Sequence, residues 1–227
     1  MSDYQPTSRR PIADLFRSTA HGAVRLCVAL GIHPDAVSYG SVVASTIAAF
    51  CFWRARDTPW LLIPAALLCY LRLWLNMLDG MVALAAKKAS LRGEILNDLP
   101  DRVSDALVFA GVAHSGLCTM ASGYWSAIMA LLTAYVGTFG QAVGVGRQFG
   151  GVMAKPWRMV MLHLGSWLTY WHLLKGYPIE VGPLTILDWF NLAIIVGCLQ
   201  TMAVRLARIM RGLAAKQMGT DKPDAAV

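Results

Sequence analysis

The residues best suited to chemistry fall in two short segments. Asn76, Asp79, Gly80 and Ala83 form the first, as N-x-x-D-G-x-x-A. Gly93, Asn97, Asp101 and Asp105 form the second, as G-x-x-x-N-x-x-x-D-x-x-x-D. Both lie in otherwise apolar stretches, where an ionisable residue is costly and marks a functional site by default. Asn76, Asp79 and Ala83 follow i, i+3, i+7; Asn97, Asp101 and Asp105 follow i, i+4, i+8. Each set makes one stripe on a helix. Two facing stripes would gather carboxylates and carboxamides in a small volume. Carboxylates held together repel, so either protons or cations must neutralise them. All-oxygen donors select Mg²⁺, Mn²⁺ or Ca²⁺. Two such ions form a device for displacement at phosphorus. Pairing with Arg72 and Arg102 is the plainer alternative, but two arginines do not balance this many acids.

The elements that must position these residues are membrane helices. An apolar run extends from Pro34 to Trp53, and five more follow at Trp60–Ala86, Arg92–His114, Met120–Val145, Trp157–Leu174 and Leu184–Leu213. A bilayer core needs about 20 apolar residues per helix, so six spans are expected. Asp79 lies about ten residues before the middle of the Lys87–Arg92 hinge and Asp101 about twelve after it, which at about 1.5 Å per residue puts both at similar depth on antiparallel neighbours. Pro11 to Leu30 mixes Ile12, Leu15, Phe16 and Val24 with Arg17 and Arg25, the pattern of an amphipathic helix lying in the headgroup layer. The predicted organisation is therefore an all-α integral membrane protein with six transmembrane helices behind an N-terminal interfacial amphipathic helix. Residues 1–31 form the cytoplasmic or interfacial segment, 32–213 the six-helix catalytic domain and 214–227 a flexible cytoplasmic tail.

Composition agrees. Hydrophobic residues make up 56% of the chain and charged residues only 15%, too apolar for an ordinary soluble domain. The net charge of +7 sits between apolar runs rather than on one face, which suits anionic lipid and not nucleic acid. Arg9, Arg10, Arg17 and Arg25 precede the first span, and the later basic residues cluster in alternate loops and after the last span. The positive-inside rule then puts both termini in the cytoplasm. Five cysteines show no C-x-x-C spacing, so neither disulfides nor zinc are expected, and the five histidines show no metal pairing. Charges early in the chain argue against a cleaved signal peptide.

The order of these residues resembles the signature of the CDP-alcohol phosphatidyltransferase family, D-x-x-D-G-x-x-A-R, eight residues, then G-x-x-x-D-x-x-x-D. Asp79, Gly80, Ala83, Gly93 and Asp101 fall on its positions, and Ser90 stands where many members have Ser or Thr. Upstream, His33-Pro34-Asp35-Ala36-Val37-Ser38 is similar to the TPNxxT segment that opens the family's first membrane helix. Asn76 and Asn97 replace two aspartates and Leu84 replaces an arginine. The chain is similar in this to a bacterial branch with Asn at both positions and an extra acid at the place of Asp105.

The resemblance implies transfer of a phosphatidyl group from a CDP-linked lipid, such as CDP-diacylglycerol, to a small polar alcohol or alcohol phosphate, with release of CMP, in phospholipid biosynthesis. It implies a bacterial inner-membrane enzyme and a homodimer. Asp101 would be the general base, and Asn76, Asp79, Asn97, Asp101 and Asp105 would ligate Mg²⁺ or Mn²⁺, as two ions. Gly80, Ala83, Ser90 and Gly93 would face the CDP moiety, with Lys87 or Lys88 in place of the missing arginine. Arg147, Lys155 and Arg158, beside the glycine-rich Gly144–Gly151 stretch, would anchor the acceptor; a phosphorylated alcohol suits such a pocket. Two other readings are a CDP-lipid-binding relative without turnover and a divalent-cation transporter using the acidic stripe. Against the transporter, the third run turns apolar directly after Asp105 (Ala106-Leu107-Val108-Phe109).

Overall fold

The structure, a computed structural model, describes residues 12–86 and 91–220, with side chains described over 20–86 and 98–217. Among the described residues the chain is all-α apart from one small hairpin. The helices are α1 (Ile12–Ala29), α2 (Pro34–Trp53), α3 (Leu62–Ala85), α4 (Leu91–Ala113), α5 (Met120–Ala142), α6 (Lys155–Lys175) and α7 (Ile186–Thr220). A 3₁₀ turn (Pro59–Leu61) leads into α3, and strands β1 (Glu180–Val181) and β2 (Leu184–Thr185) lead into α7. The strands pair antiparallel, Glu180 with Thr185 and Val181 with Leu184. Gly182, at a φ of 68°, supplies the positive φ that a two-residue hairpin turn requires.

Helices α2 to α7 coincide with the six apolar runs. Of these, Pro34–Trp53, Pro59–Ala85 and Ile186–Gln217 are long and apolar enough to cross a membrane. Helix α7 runs to Thr220, so residues 214–220, expected to begin a flexible tail, are helical. Ala214, Ala215, Lys216, Gln217 and Met218 are strong helix formers, and propensity carries the helix beyond the apolar run.

The chain divides into two compact units, residues 1–44 with 71–101, and 45–70 with 102–227. In the first, α1 ends in a Schellman turn: Gly31 has a φ of 67° and the Ile32 amide donates to the Cys27 carbonyl at 2.9 Å. Pro34 then opens α2, where its missing N–H costs nothing. Ala20, Val24 and Cys27 line one face of α1 and pack with Val37 of α2 and Leu78 and Val82 of α3. The outer face of α1 exposes Leu26, Val28 and Leu30 beside Arg25. The buried face of α2 in this unit is small: Val37, Ser38, Ser41 and Ala44. Small residues let helices close on one another where lipid offers no hydrophobic drive.

In the second unit α5 and α6 pack on α7. Four buried hydroxyls there are satisfied within their own helices. Thr133 donates to the Met129 carbonyl at 2.6 Å, Ser166 to Leu162 at 2.6 Å, Thr169 to Gly165 at 2.8 Å and Thr201 to Gly197 at 2.7 Å. This i−4 back-bonding makes a hydroxyl tolerable in an apolar interior. At the head of α7, the Asp188 carboxylate, 2% exposed, accepts from the amide and hydroxyl of Thr119, the hydroxyl of Ser122 and the amide and hydroxyl of Thr185. Thr185 and Asp188 form a capping box, and the same carboxylate ties the start of α5 to the start of α7.

Gly111 of α4 meets α2 backbone to backbone: a methyl added there would lie 2.4 Å from the Ala49 carbonyl oxygen. Gly111→Ala is therefore expected to lower thermal stability in detergent by about 1–3 kcal/mol. Gly22→Ala, where an added methyl meets no described atom within 4 Å, is expected to leave the melting temperature unchanged or slightly raised. Equal melting of the two variants would refute the close contact.

Candidate active site

In the first unit, α3 and α4 bring the two halves of the motif together. The Asn76 amide nitrogen donates to an Asp101 carboxylate oxygen across 25 residues of sequence. An ionised carboxylate only accepts, so this bond fixes the orientation of the Asn76 amide. The Asn76 carbonyl oxygen is thereby left buried with no hydrogen-bond partner. A buried acceptor without a donor costs free energy, and it is the atom a hard cation would satisfy. One turn along α3, Asp79 is 2% exposed and accepts from the Ser38 hydroxyl of α2 at 2.6 Å. The oxygen-only donor set of Asn76, Asp79 and Asp101 fits Mg²⁺ or Mn²⁺. No group of three or more His, Cys, Asp or Glu residues suited to a metal forms among the described residues; the gathering here runs through an amide, and the Asn97 side chain lies outside the described residues.

Gly80 follows Asp79 on α3, and a methyl added to it would meet no described atom within 4 Å. Space is open there for a ligand to approach the helix. Ala83 is half-buried and Leu84 is exposed. Gly93 stands in the first turn of α4. Lys87, Lys88 and Ser90 lie outside the described residues.

In the second unit, Asp105 is fully buried and pairs with Arg158 of α6 at 2.9 Å. The sequence had put these two residues in different groups, one with the metal and one with the acceptor; the structure puts them in a single ion pair. Their flanks are apolar and the partner lies 53 residues away, so no local spacing signals it. Lys155 and Pro156 open α6; Lys155 is half-buried, and Arg147 stacks over the Phe149 ring at 5.4 Å.

Two further arginines, which the sequence reading had only counted as positive-inside charge, come to the same glycine-rich loop. Arg205 of α7 donates through Nε to the Gly150 carbonyl at 2.9 Å and through Nη1 to the Thr133 carbonyl of α5. The Arg208 guanidinium fills the space that a side chain at Gly150 would need. Gly150 is thus required by the arginine of α7 lying against it. At the opposite end of the unit, burial pushes the Cys118 thiol up to about 11, which removes it as a nucleophile.

No family model matches the chain. Among curated proteins it is 23% identical over 191 residues to an archaetidylinositol phosphate synthase of Pyrococcus horikoshii, covering 84% of this chain and 92% of that protein. It is 27% identical over 176 residues to a phosphatidylinositol phosphate synthase of Mycolicibacterium smegmatis, covering 74% and 75%. Among solved structures, phosphatidylinositol phosphate synthase of Mycobacterium tuberculosis in complex with manganese and citrate aligns with a TM-score of 0.67 and 21% identity, over 84% of this chain and 88% of that one. The same enzyme with CDP-DAG bound gives a TM-score of 0.67 over 84% and 92%. The curated relatives and solved structures to which the chain is similar are thus archaetidylinositol phosphate or phosphatidylinositol phosphate synthases by name. These likenesses agree with the resemblance of its motif to the CDP-alcohol phosphatidyltransferase family.

The Asp105–Arg158 pair is open to test by stability. Asp105→Ala leaves a guanidinium buried without its counter-charge and is expected to cost about 3–5 kcal/mol, measured as thermal unfolding in detergent. Asp105→Ala with Arg158→Met is expected to recover most of that loss. A double variant no more stable than the single one would show that the pair is not the source.

Proposed function

We infer that this protein transfers a phosphatidyl group from a CDP-linked lipid such as CDP-diacylglycerol to the hydroxyl of a small alcohol phosphate, releasing CMP. One observation carries the reading: Asn76 of the first motif half bonds Asp101 of the second, so residues distant in sequence share one polar site. The orphaned Asn76 carbonyl supports a cation there. Asn76, Asp79, Asn97, Asp101 and Asp105 are the ligands in this reading, as two ions of Mg²⁺ or Mn²⁺. Bound cations would neutralise the pyrophosphate and stabilise the departing CMP.

Asp101 takes the proton of the acceptor hydroxyl. The acceptor oxygen forms its bond to the lipid-bearing phosphorus as the bond from that phosphorus to the bridging oxygen breaks, and CMP leaves with that oxygen. The Asn76 amide holds the Asp101 carboxylate in one plane, so the base is oriented before substrate binds. Gly80, Ala83, Gly93 and Ser90 line the nucleotide in this reading, and the open flank at Gly80 supports it. Lys87 and Lys88 replace the family arginine at Leu84. Arg147, Lys155 and Arg158 anchor the acceptor, and a phosphate on that acceptor suits their charge. The curated relatives are archaetidylinositol phosphate and phosphatidylinositol phosphate synthases by name, which favours a phosphorylated polyol. We place the protein in a bacterial inner membrane with six spans, an interfacial α1, both termini in the cytoplasm and a homodimeric assembly.

The test is CMP release from CDP-diacylglycerol by the purified protein, with Mn²⁺ or Mg²⁺ against EDTA, across alcohols and alcohol phosphates that include inositol phosphate. Metal-dependent release with one phosphorylated acceptor is the expected result, abolished by EDTA. Asp101→Asn is expected to lower kcat by about 10²–10⁴-fold with an unchanged melting temperature. Metal-dependent binding of the CDP-lipid without release for any acceptor would instead identify a binding protein. Near-normal turnover in Asp101→Asn would remove Asp101 as the base.

A further inference from the structure

Ser38 is the last residue of the segment that opens α2, and the reaction described above gives it no part. It is 4% exposed. A serine in a buried helix ordinarily donates to the carbonyl four residues back, as Thr133, Ser166, Thr169 and Thr201 do at 2.6 to 2.8 Å. Ser38 departs from this pattern. Its hydroxyl stands 3.4 Å from the Pro34 carbonyl but 2.6 Å from Asp79 Oδ2, on another helix. A hydroxyl has one proton to give. The shorter distance lies in the range of about 2.5–2.7 Å typical of a hydroxyl bonded to an ionised carboxylate, so the proton goes to Asp79.

The backbone on both sides is arranged for this bond. Pro34 starts α2 one turn earlier, and the Ser41 hydroxyl donates to the Ser38 carbonyl at 2.7 Å. The small face of α2 lets the two helices approach, with a methyl at Gly40 only 3.8 Å from Leu75 of α3. An aspartate's terminal torsion is broad and two-fold. One short bond from a buried, helix-anchored donor restricts it. The bond also occupies Oδ2, so the carboxylate is presented to a cation in one orientation.

We propose that Ser38 is a positioning residue for metal binding: its hydroxyl holds the Asp79 carboxylate in the plane from which it ligates a divalent cation. The inference rests on the proposed function above, because it requires a cation on Asp79. Partners that hydrogen-bond a ligating side chain typically contribute about 10–100-fold in metal affinity or activity. In this role Ser38 is not itself a ligand, and its influence passes through Asp79.

The experiment is a Mn²⁺ titration of the full-length protein in detergent, read by the paramagnetic signal of free Mn²⁺ and run beside metal-dependent CMP release. Wild type, Ser38→Ala, Ser38→Thr and Asp79→Asn are compared. Ser38→Ala is expected to weaken Mn²⁺ binding by about 10–100-fold, to raise the half-saturating metal concentration for turnover in parallel, and to approach wild-type kcat at saturating metal. Ser38→Thr, which keeps the hydroxyl, is expected to bind Mn²⁺ close to wild type, and Asp79→Asn to lose the site. If Ser38→Ala does not fold, Ser38→Cys, a weaker donor, is expected to show the same shift in metal affinity. Wild-type metal affinity in a folded Ser38→Ala or Ser38→Cys, with the wild type itself binding Mn²⁺ and releasing CMP, overturns the role of Ser38 alone. A lower metal-free melting temperature with unchanged Mn²⁺ affinity would make the bond structural only and also overturn it. A wild type that binds no Mn²⁺ and releases no CMP overturns both the role of Ser38 and the reading beneath it.

Discussion

The arrangement of this protein depends on one constraint: carboxylates placed in apolar helices must each find a donor or a counter-charge. Four of the described acids answer it in four ways. Asp101 takes an amide from a neighbouring helix, and Asp79 takes a hydroxyl. Asp105 takes a guanidinium. Asp188 takes five hydrogen bonds from two segments. Of these, the last, Asp188, is matched within the fold by donors from two segments. The first leaves an oxygen of its own donor unmatched, on Asn76. That difference separates an acid used to hold helices together from one held ready for a ligand.

The replacement of aspartate by asparagine at position 76 is informative in this light. An aspartate there would face the Asp101 carboxylate with no proton to share, and the two would need a cation or a proton between them. An asparagine contributes its own donor. The pair can therefore form in the absence of metal and still offer a carbonyl oxygen. The substitution lowers the charge of the site while keeping its oxygen count.

Much of the fold was legible in the sequence because apolar runs and their interruptions are a local property. The turn at Gly31, the start of α2 at Pro34 and the positions of the later helices all follow from such signals. The stripe geometry of the site was legible for the same reason: spacing along a helix fixes which residues share a face. Partnership across helices was not. The sequence offered Arg72 and Arg102 as counter-charges for the acids but gave no sign that Asp105 also pairs with Arg158, more than 50 residues away. Asp188 drew no notice, since a single acid at the start of an apolar run looks like an ordinary helix cap until Thr119 and Ser122 arrive beside it. The extension of α7 was missed because the apolar pattern ends where the bilayer requirement ends, while helix propensity continues.

The glycine-rich loop before α6 is held by Arg205, whose guanidinium spans two backbone carbonyls belonging to different elements. A guanidinium stays charged across the whole physiological range, and its planar fork serves two acceptors where an ammonium would serve them poorly. These two partners are peptide dipoles, not free charges screened by the surrounding electrolyte. The loop is thus fastened by an interaction that acidification of the cell does not titrate and that a rise in cytosolic salt barely weakens. Any sensitivity of the protein to pH or ionic strength then arises elsewhere, with the contact at Gly150 serving as a fixed reference.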